Sequence, residues 1–157
     1  MDTSEIVDLT AKGIDICKNW PDFPIRVSGA TGGLIGNIVM ICGGNRGHGD
    51  RYLDDCYSLN SQKATLITHM SVGRVWAASI VLNDNTLWVT GGYGTESMSS
   101  DYQHPLNSTE YITLNGTLPG PDLPTTLAQH TMVAINTTWS MVIAGTPMKS
   151  SYLLKPI

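Results

Sequence analysis

The chain has 157 residues, enough for one domain with a real hydrophobic core. Apolar residues make up 41% and charged residues 14%, which excludes a disordered tail, and a net charge of −4 without a basic patch argues against nucleic acid as a partner. No apolar run approaches the ~18–20 residues of a membrane span, and 16 glycines with 8 prolines disfavour a helix-rich fold.

The first ten residues carry Asp2, Glu5 and Asp8, where a secretory signal needs a basic start and an apolar stretch. Within them, Ser4-Glu5-Ile6-Val7-Asp8-Leu9 matches segments 54–59 and 109–114 farther along and reads as the third strand of a unit. Trp20 closes a further strand before the turn Pro21-Asp22-Phe23-Pro24. Residues 28–35 are small and apolar and read as the first strand of a new unit. The run Ile38-Val39-Met40-Ile41-Cys42 follows and ends in Gly43-Gly44. It is apolar on both faces, as a strand buried between two packed sheets must be. A Gly-rich loop leads to Asp54-Asp55-Cys56-Tyr57-Ser58-Leu59, a third strand.

The same order then recurs. Residues 75–82 form a first strand that includes Val75-Trp76-Ala77-Ala78, and Leu87-Trp88-Val89-Thr90 runs into Gly91-Gly92. After an insertion, Thr109-Glu110-Tyr111-Ile112-Thr113-Leu114 is the third strand, and Leu118-Pro119-Gly120-Pro121 the closing turn. Residues 129–135 open a third unit. Met141-Val142-Ile143 runs into Ala144-Gly145, and residues 150–154 stand where a third strand belongs. The small-residue pairs begin at 43, 91 and 144, spacings of 48 and 53, and the acids Glu5, Asp55 and Glu110 keep the same phase. Several markers in constant order at one period are the signature of a repeat architecture, and four short strands per period of ~50 describe a propeller blade.

On these residues the chain resembles the kelch-repeat β-propeller family, invertebrate kelch-like proteins among them. The carrying positions are the glycine pairs, the acid–aromatic third strands (Asp55-Cys56-Tyr57; Glu110-Tyr111) and Trp20 of a fourth strand. The pattern departs from the family where later units lack that tryptophan and where Ala144 replaces a glycine. The expected fold is all-β, a partial kelch-type propeller of about three blades of four-stranded antiparallel sheets. Residues 1–23 end one blade, 24–70 and 71–123 are blades, and 124–157 is an incomplete one. Closed propellers use about 4–8 blades. Three completions are therefore open: a longer chain of which this is a fragment, a second copy that closes the ring, or an open array.

The glycines Gly43, Gly44, Gly91, Gly92 and Gly145 have a structural role, positive φ and close strand approach. A phosphate loop would need a following helix and a Lys-Ser/Thr pair, and neither is present. Cys42 and Cys56 stand on neighbouring strands, so they form either a cross-strand disulfide or two buried free thiols; Cys17 is left odd. His48, His69, His104 and His130 are too far apart in sequence for a local metal pair. The stretch 47–55 collects His48, Asp50, Asp54 and Asp55 and reads as a solvated loop, while His130 reads as a hydrogen-bonded, partly buried histidine. Arg51 and Arg74 serve a propeller face or pair with nearby acids. No Gly-x-Ser-x-Gly elbow occurs, and Asp54-Asp55 are strand neighbours that point to opposite faces. No cofactor, metal or catalytic residue is expected.

The insertion after Gly92 is the most individual segment. Tyr93, Met98, Tyr102 and His104 are its candidate contact residues, against the reading of a tolerated surface loop. The resemblance implies a non-catalytic module that binds a protein, or a glycan. Its alternatives are a galactose-oxidase-type enzyme fragment, the recognition part of a cullin ubiquitin-ligase adaptor, and an actin-binding kelch protein. Three Asn-x-Thr triplets begin at Asn107, Asn115 and Asn136, candidate N-glycosylation sites. With a Cys42–Cys56 bridge they favour an extracellular or cell-surface protein; the acidic N-terminal segment favours the cytoplasm.

Overall fold

The computed structural model describes residues 4–7, 17–47, 51–94, 104–143, 145–147 and 151–155. Among them there is no helix, hence none long and apolar enough to cross a membrane. β1 (Ser4–Val7) and β2 (Cys17–Trp20) pair antiparallel. β3 (Thr31–Ile35), β4 (Ile38–Cys42), β5 (Asp55–Leu59) and β6 (Ala64–His69) form a four-stranded sheet in chain order. β8 (Ala78–Leu82), β9 (Thr86–Thr90), β12 (Thr109–Thr113) and β13 (Gly116–Pro119) form the next. β14 (Thr131–Ala134), β15 (Ser140–Ile143) and β16 (Tyr152–Leu154) form a three-stranded sheet. Each of these four sheets is antiparallel throughout. The innermost strands β3, β8 and β14 are successive neighbours, and the outer strands β6 and β13 also meet. The chain is thus a partial β-propeller, with two complete blades flanked by partial sheets.

The apolar runs explain the stacking. In β9, Leu87 and Val89 join Ile35, Met40, Cys42, Cys56, Met70 and Ile112 between the two complete blades. Trp88, one residue out of phase, joins Ala78, Leu123, Leu127, Met132 and Val142 on the other side. A strand whose alternate side chains enter two different cores is apolar along its middle, and its one fully buried polar residue, Thr90, is hydrogen-bonded to His130. That is why β9 has no polar face to show.

Antiparallel pairing gives each blade two ends. The strands turn tightly at one end, at residues 36–37, 60–63, 83–85, 114–115 and 135–139. The other end carries the glycine pairs and the longer loops between β4 and β5 and between β9 and β12. Gly43, Gly44, Gly91, Gly92 and Gly145 all have φ between 55° and 120°. A side chain on Gly92 would lie 2.9 Å from the Val75 carbonyl oxygen and 3.0 Å from Ala77 Cβ. The pairs also repeat their bonds. Gly43 and Gly91 donate to the carbonyls of Asp55 and Ser108, both at 3.0 Å. Gly44 and Gly92 donate to Arg74 and Leu127, both at 2.8 Å.

Those bonds correct the phase read from the acids. Measured from the glycine pair, Asp55 corresponds to Ser108, and Cys42–Cys56 to Thr90–Thr109. Glu110 is therefore not the counterpart of Asp55 but of Tyr57. The slip is hidden because the following turns differ in length: residues 60–63 in one blade, only 114–115 in the next.

Candidate functional site

The first strands begin later than the sequence suggests. Val75, Trp76 and Ala77 were expected inside one, yet β8 starts at Ala78. Trp76 stands before it with φ 53°, in the left-handed region. Gly29 (φ 66°) and Gln129 (φ 55°) stand likewise two residues before β3 and β14. The three are joined blade to blade: Trp76 N–H donates to the Gly29 carbonyl at 2.9 Å, and Gln129 N–H to the Trp76 carbonyl at 3.0 Å. A left-handed glycine is unstrained, whereas a bulky residue there is an outlier that deserves a reason.

Trp76 is 43% exposed at the glycine end. Its indole passes beside Gly29, where a Cβ would lie 2.9 Å from Trp76 Cδ1, so only glycine leaves that space. The ring meets Tyr93 edge-on, with centroids 5.9 Å apart and an interplanar angle of 80°. Tyr93 is fixed in turn. β7 (Arg74–Val75), β10 (Tyr93–Gly94) and β11 (His104–Pro105) form a small antiparallel sheet with β10 in the middle. Both ends of the insertion, the candidate binding loop of the sequence, are clamped by main-chain bonds. Tyr93 and His104 belong to that clamp; Met98 and Tyr102 lie outside the described residues.

The third aromatic of this rim is Tyr52. The stretch 47–55 was expected to be solvated, yet Tyr52 and Leu53 are buried. Their loop is drawn in by Leu53 N–H bonding to Gly44 O (2.8 Å) and Arg74 N–H to Leu53 O (3.1 Å). The Tyr52 hydroxyl is buried and meets no hydrogen-bond partner among the described residues. Burial first, and the Tyr93 hydroxyl second, push its pKa above the ordinary phenol value. A buried, unpaired hydroxyl costs about 1–3 kcal/mol.

Two other groups in this layer are structural. Arg74 is buried and its Nη2 lies 2.5 Å from Glu110 Oε1. Its Nη1 donates to the carbonyls of Gly91 (2.9 Å) and Ser108 (3.0 Å). The pair bolts the loop before β8 to the next blade. Burial lowers the Arg74 pKa and Glu110 opposes that shift. His130 is buried just before β14, not within it; its Nε2 lies 2.8 Å from Thr90 Oγ1, and its Nδ1 has no partner among the described residues. Burial lowers its pKa to about 4. The unfolded chain then binds a proton near pH 6.5 that the folded chain refuses. Stability is therefore complete above pH 6.5 and declines as pH falls towards 4, by about 2–3 kcal/mol at pH ~4.5. Urea midpoints at neutral and acidic pH should show this loss in the wild type and a smaller one in His130→Gln.

The remaining candidates separate. His69 Nδ1 approaches the acids, at 3.1 Å from Asp55 and 3.9 Å from Asp54. Arg51 also reaches Asp54, at 3.9 Å. These are partly exposed side chains that satisfy one another, and His48 and Asp50 lie outside the described residues. Cys42 and Cys56 are joined in a buried disulfide across directly paired strand positions, with Cα atoms 4.1 Å apart. Asn107, Asn115 and Asn136 are all exposed. Ala144 lies outside the described residues.

No family model and no curated protein matches the chain. Among solved structures it is similar to one described as the structure of YjhT, at 14% identity and a TM-score of 0.70. The match covers 89% of this chain and 45% of that one, so the chain spans a little under half its length. That likeness supports a kelch-like β-propeller fold.

Proposed function

We propose that the chain is a non-catalytic protein-interaction module of the kelch-repeat kind, which grips a protein segment at the rim formed by Trp76, Tyr93 and Tyr52. The carrying observation is Trp76: a large, exposed aromatic held in a left-handed conformation that glycine occupies in the preceding blade. Folding alone gains little from a tryptophan there. A partner gains much, because exposed, pre-positioned aromatics are the usual anchors of protein interfaces. Tyr93, edge-on to the indole, supports the reading by holding the ring in place.

Random peptides displayed on phage and panned against the wild-type chain are expected to yield binders. Trp76→Ala should weaken them by about tenfold or more. Trp76→Gly should weaken them as much while keeping or raising the urea midpoint, since it relaxes the left-handed backbone. Binders indifferent to both variants would defeat the reading. So would a panning without peptide binders beside a glycan array with clear ones.

A further inference from the structure

The three Asn-x-Thr triplets are not placed alike. Asn115 is exposed in the two-residue turn between β12 and β13, and Asn136 is exposed in the turn between β14 and β15. Both stand at the tight-turn end of the blades, opposite the aromatic rim. Asn107 stands at the rim end. There its Nδ2 approaches Asp122 at 3.5 Å, and the threonine of its triplet is locked in the core. Thr109 is 2% exposed, accepts from the Trp88 indole (3.0 Å) and donates to Pro121 O (2.8 Å).

The Asn136 side chain is arranged differently. Its Oδ1 accepts from the main-chain N–H groups of Thr138 (2.8 Å) and Trp139 (2.9 Å). This Asx turn commits the carbonyl and leaves Nδ2 as the unengaged atom of an exposed side chain. Around it lie exposed Ile135 (50%) and Trp139 (41%), apolar surface that water covers poorly. Asn136 also borders a cleft of about 630 Å³ between the β8–β9 and β14–β15 hairpins, with Val81, Asp84 and Ala134. The buried Cys42–Cys56 disulfide supplies an independent observation, because such bonds persist in oxidising compartments.

We propose that the chain passes through an oxidising secretory compartment and carries N-linked oligosaccharides on Asn115 and Asn136. In the transfer, Nδ2 attacks C1 of an oligosaccharide carried on a polyprenyl diphosphate. The C1–O bond to the diphosphate breaks, the C1–Nδ2 bond forms, and Nδ2 gives up one proton to solvent. Polyprenyl diphosphate leaves. Both glycans then sit away from the rim, and the one on Asn136 shields Ile135 and Trp139.

The test uses protein from its native source, released with peptide N-glycosidase in heavy-oxygen water, which tags each formerly glycosylated asparagine. Tags are expected at both Asn115 and Asn136. In a secretory host, Asn115→Gln and Asn136→Gln should each remove one glycan-sized step of mass. An untagged Asn115 or Asn136 in the native protein, or a tag on Asn107 alone, overturns the proposal. Cys42 and Cys56 that alkylate in the native protein without prior reduction overturn it as well. None of these readouts involves peptide binding, so this proposal and the rim reading stand or fall separately.

Discussion

Replacing Arg74 with methionine is expected to destabilise the chain by about 3–5 kcal/mol. The guanidinium is fully buried and satisfies Glu110, the Gly91 carbonyl and the Ser108 carbonyl at once. Without it, Glu110 remains 2% exposed, with the Ser71 N–H at 2.8 Å as its other bond. An unpaired carboxylate in that position costs far more than the pair contributes. The double variant Arg74→Met/Glu110→Leu should therefore recover much of the loss, since two apolar groups leave no charge behind. Urea unfolding of the wild type, both single variants and the double variant measures this directly. A coupling of about 2 kcal/mol or more is expected. Simply additive losses would show that the two side chains act independently and that the bolt between the blades lies elsewhere.

Opening the Cys42–Cys56 bond is expected to cost about 3 kcal/mol, the loop-closure entropy of a segment of roughly this length. The bond joins residues 14 apart and closes the loop that carries Tyr52. The corresponding positions of the next blade hold Thr90 and Thr109, whose hydroxyls bond to His130 and Trp88 instead. One blade is thus covalently stapled and its neighbour is held by hydroxyls. Urea midpoints with and without a thiol reductant should differ for the wild type and coincide for Cys42→Ala/Cys56→Ala. Equal midpoints for the wild type would show that the staple adds nothing to folding.

The strands and their period were legible because they rest on local chemistry. A run such as Leu87-Trp88-Val89-Thr90 followed by two glycines announces a strand between two cores wherever it occurs. The cysteine pairing was half legible: the strands are adjacent, but the matching register is set by the glycine turn. Trp76 was not legible. Val75-Trp76-Ala77-Ala78 reads as strand, and what breaks it is a pair of main-chain bonds to Gly29 and Gln129, about fifty residues away on either side. Arg74 and Glu110 were equally opaque. They are 36 residues apart, and separated charges in a sequence look alike whether they end in solvent or in a core. Tyr52 was hidden in a loop whose glycines and acids suggest solvent, although Gly44 and Arg74 draw it inward.

The relay through Gly29, Trp76 and Gln129 also bears on how such a chain tolerates change. Main-chain atoms near the axle set the pitch from one spoke to the next, much as a hub sets the spacing of a wheel. Turns at the opposite end of the blades, such as residues 60–63 and 114–115, can then differ in length without altering the curvature of the whole.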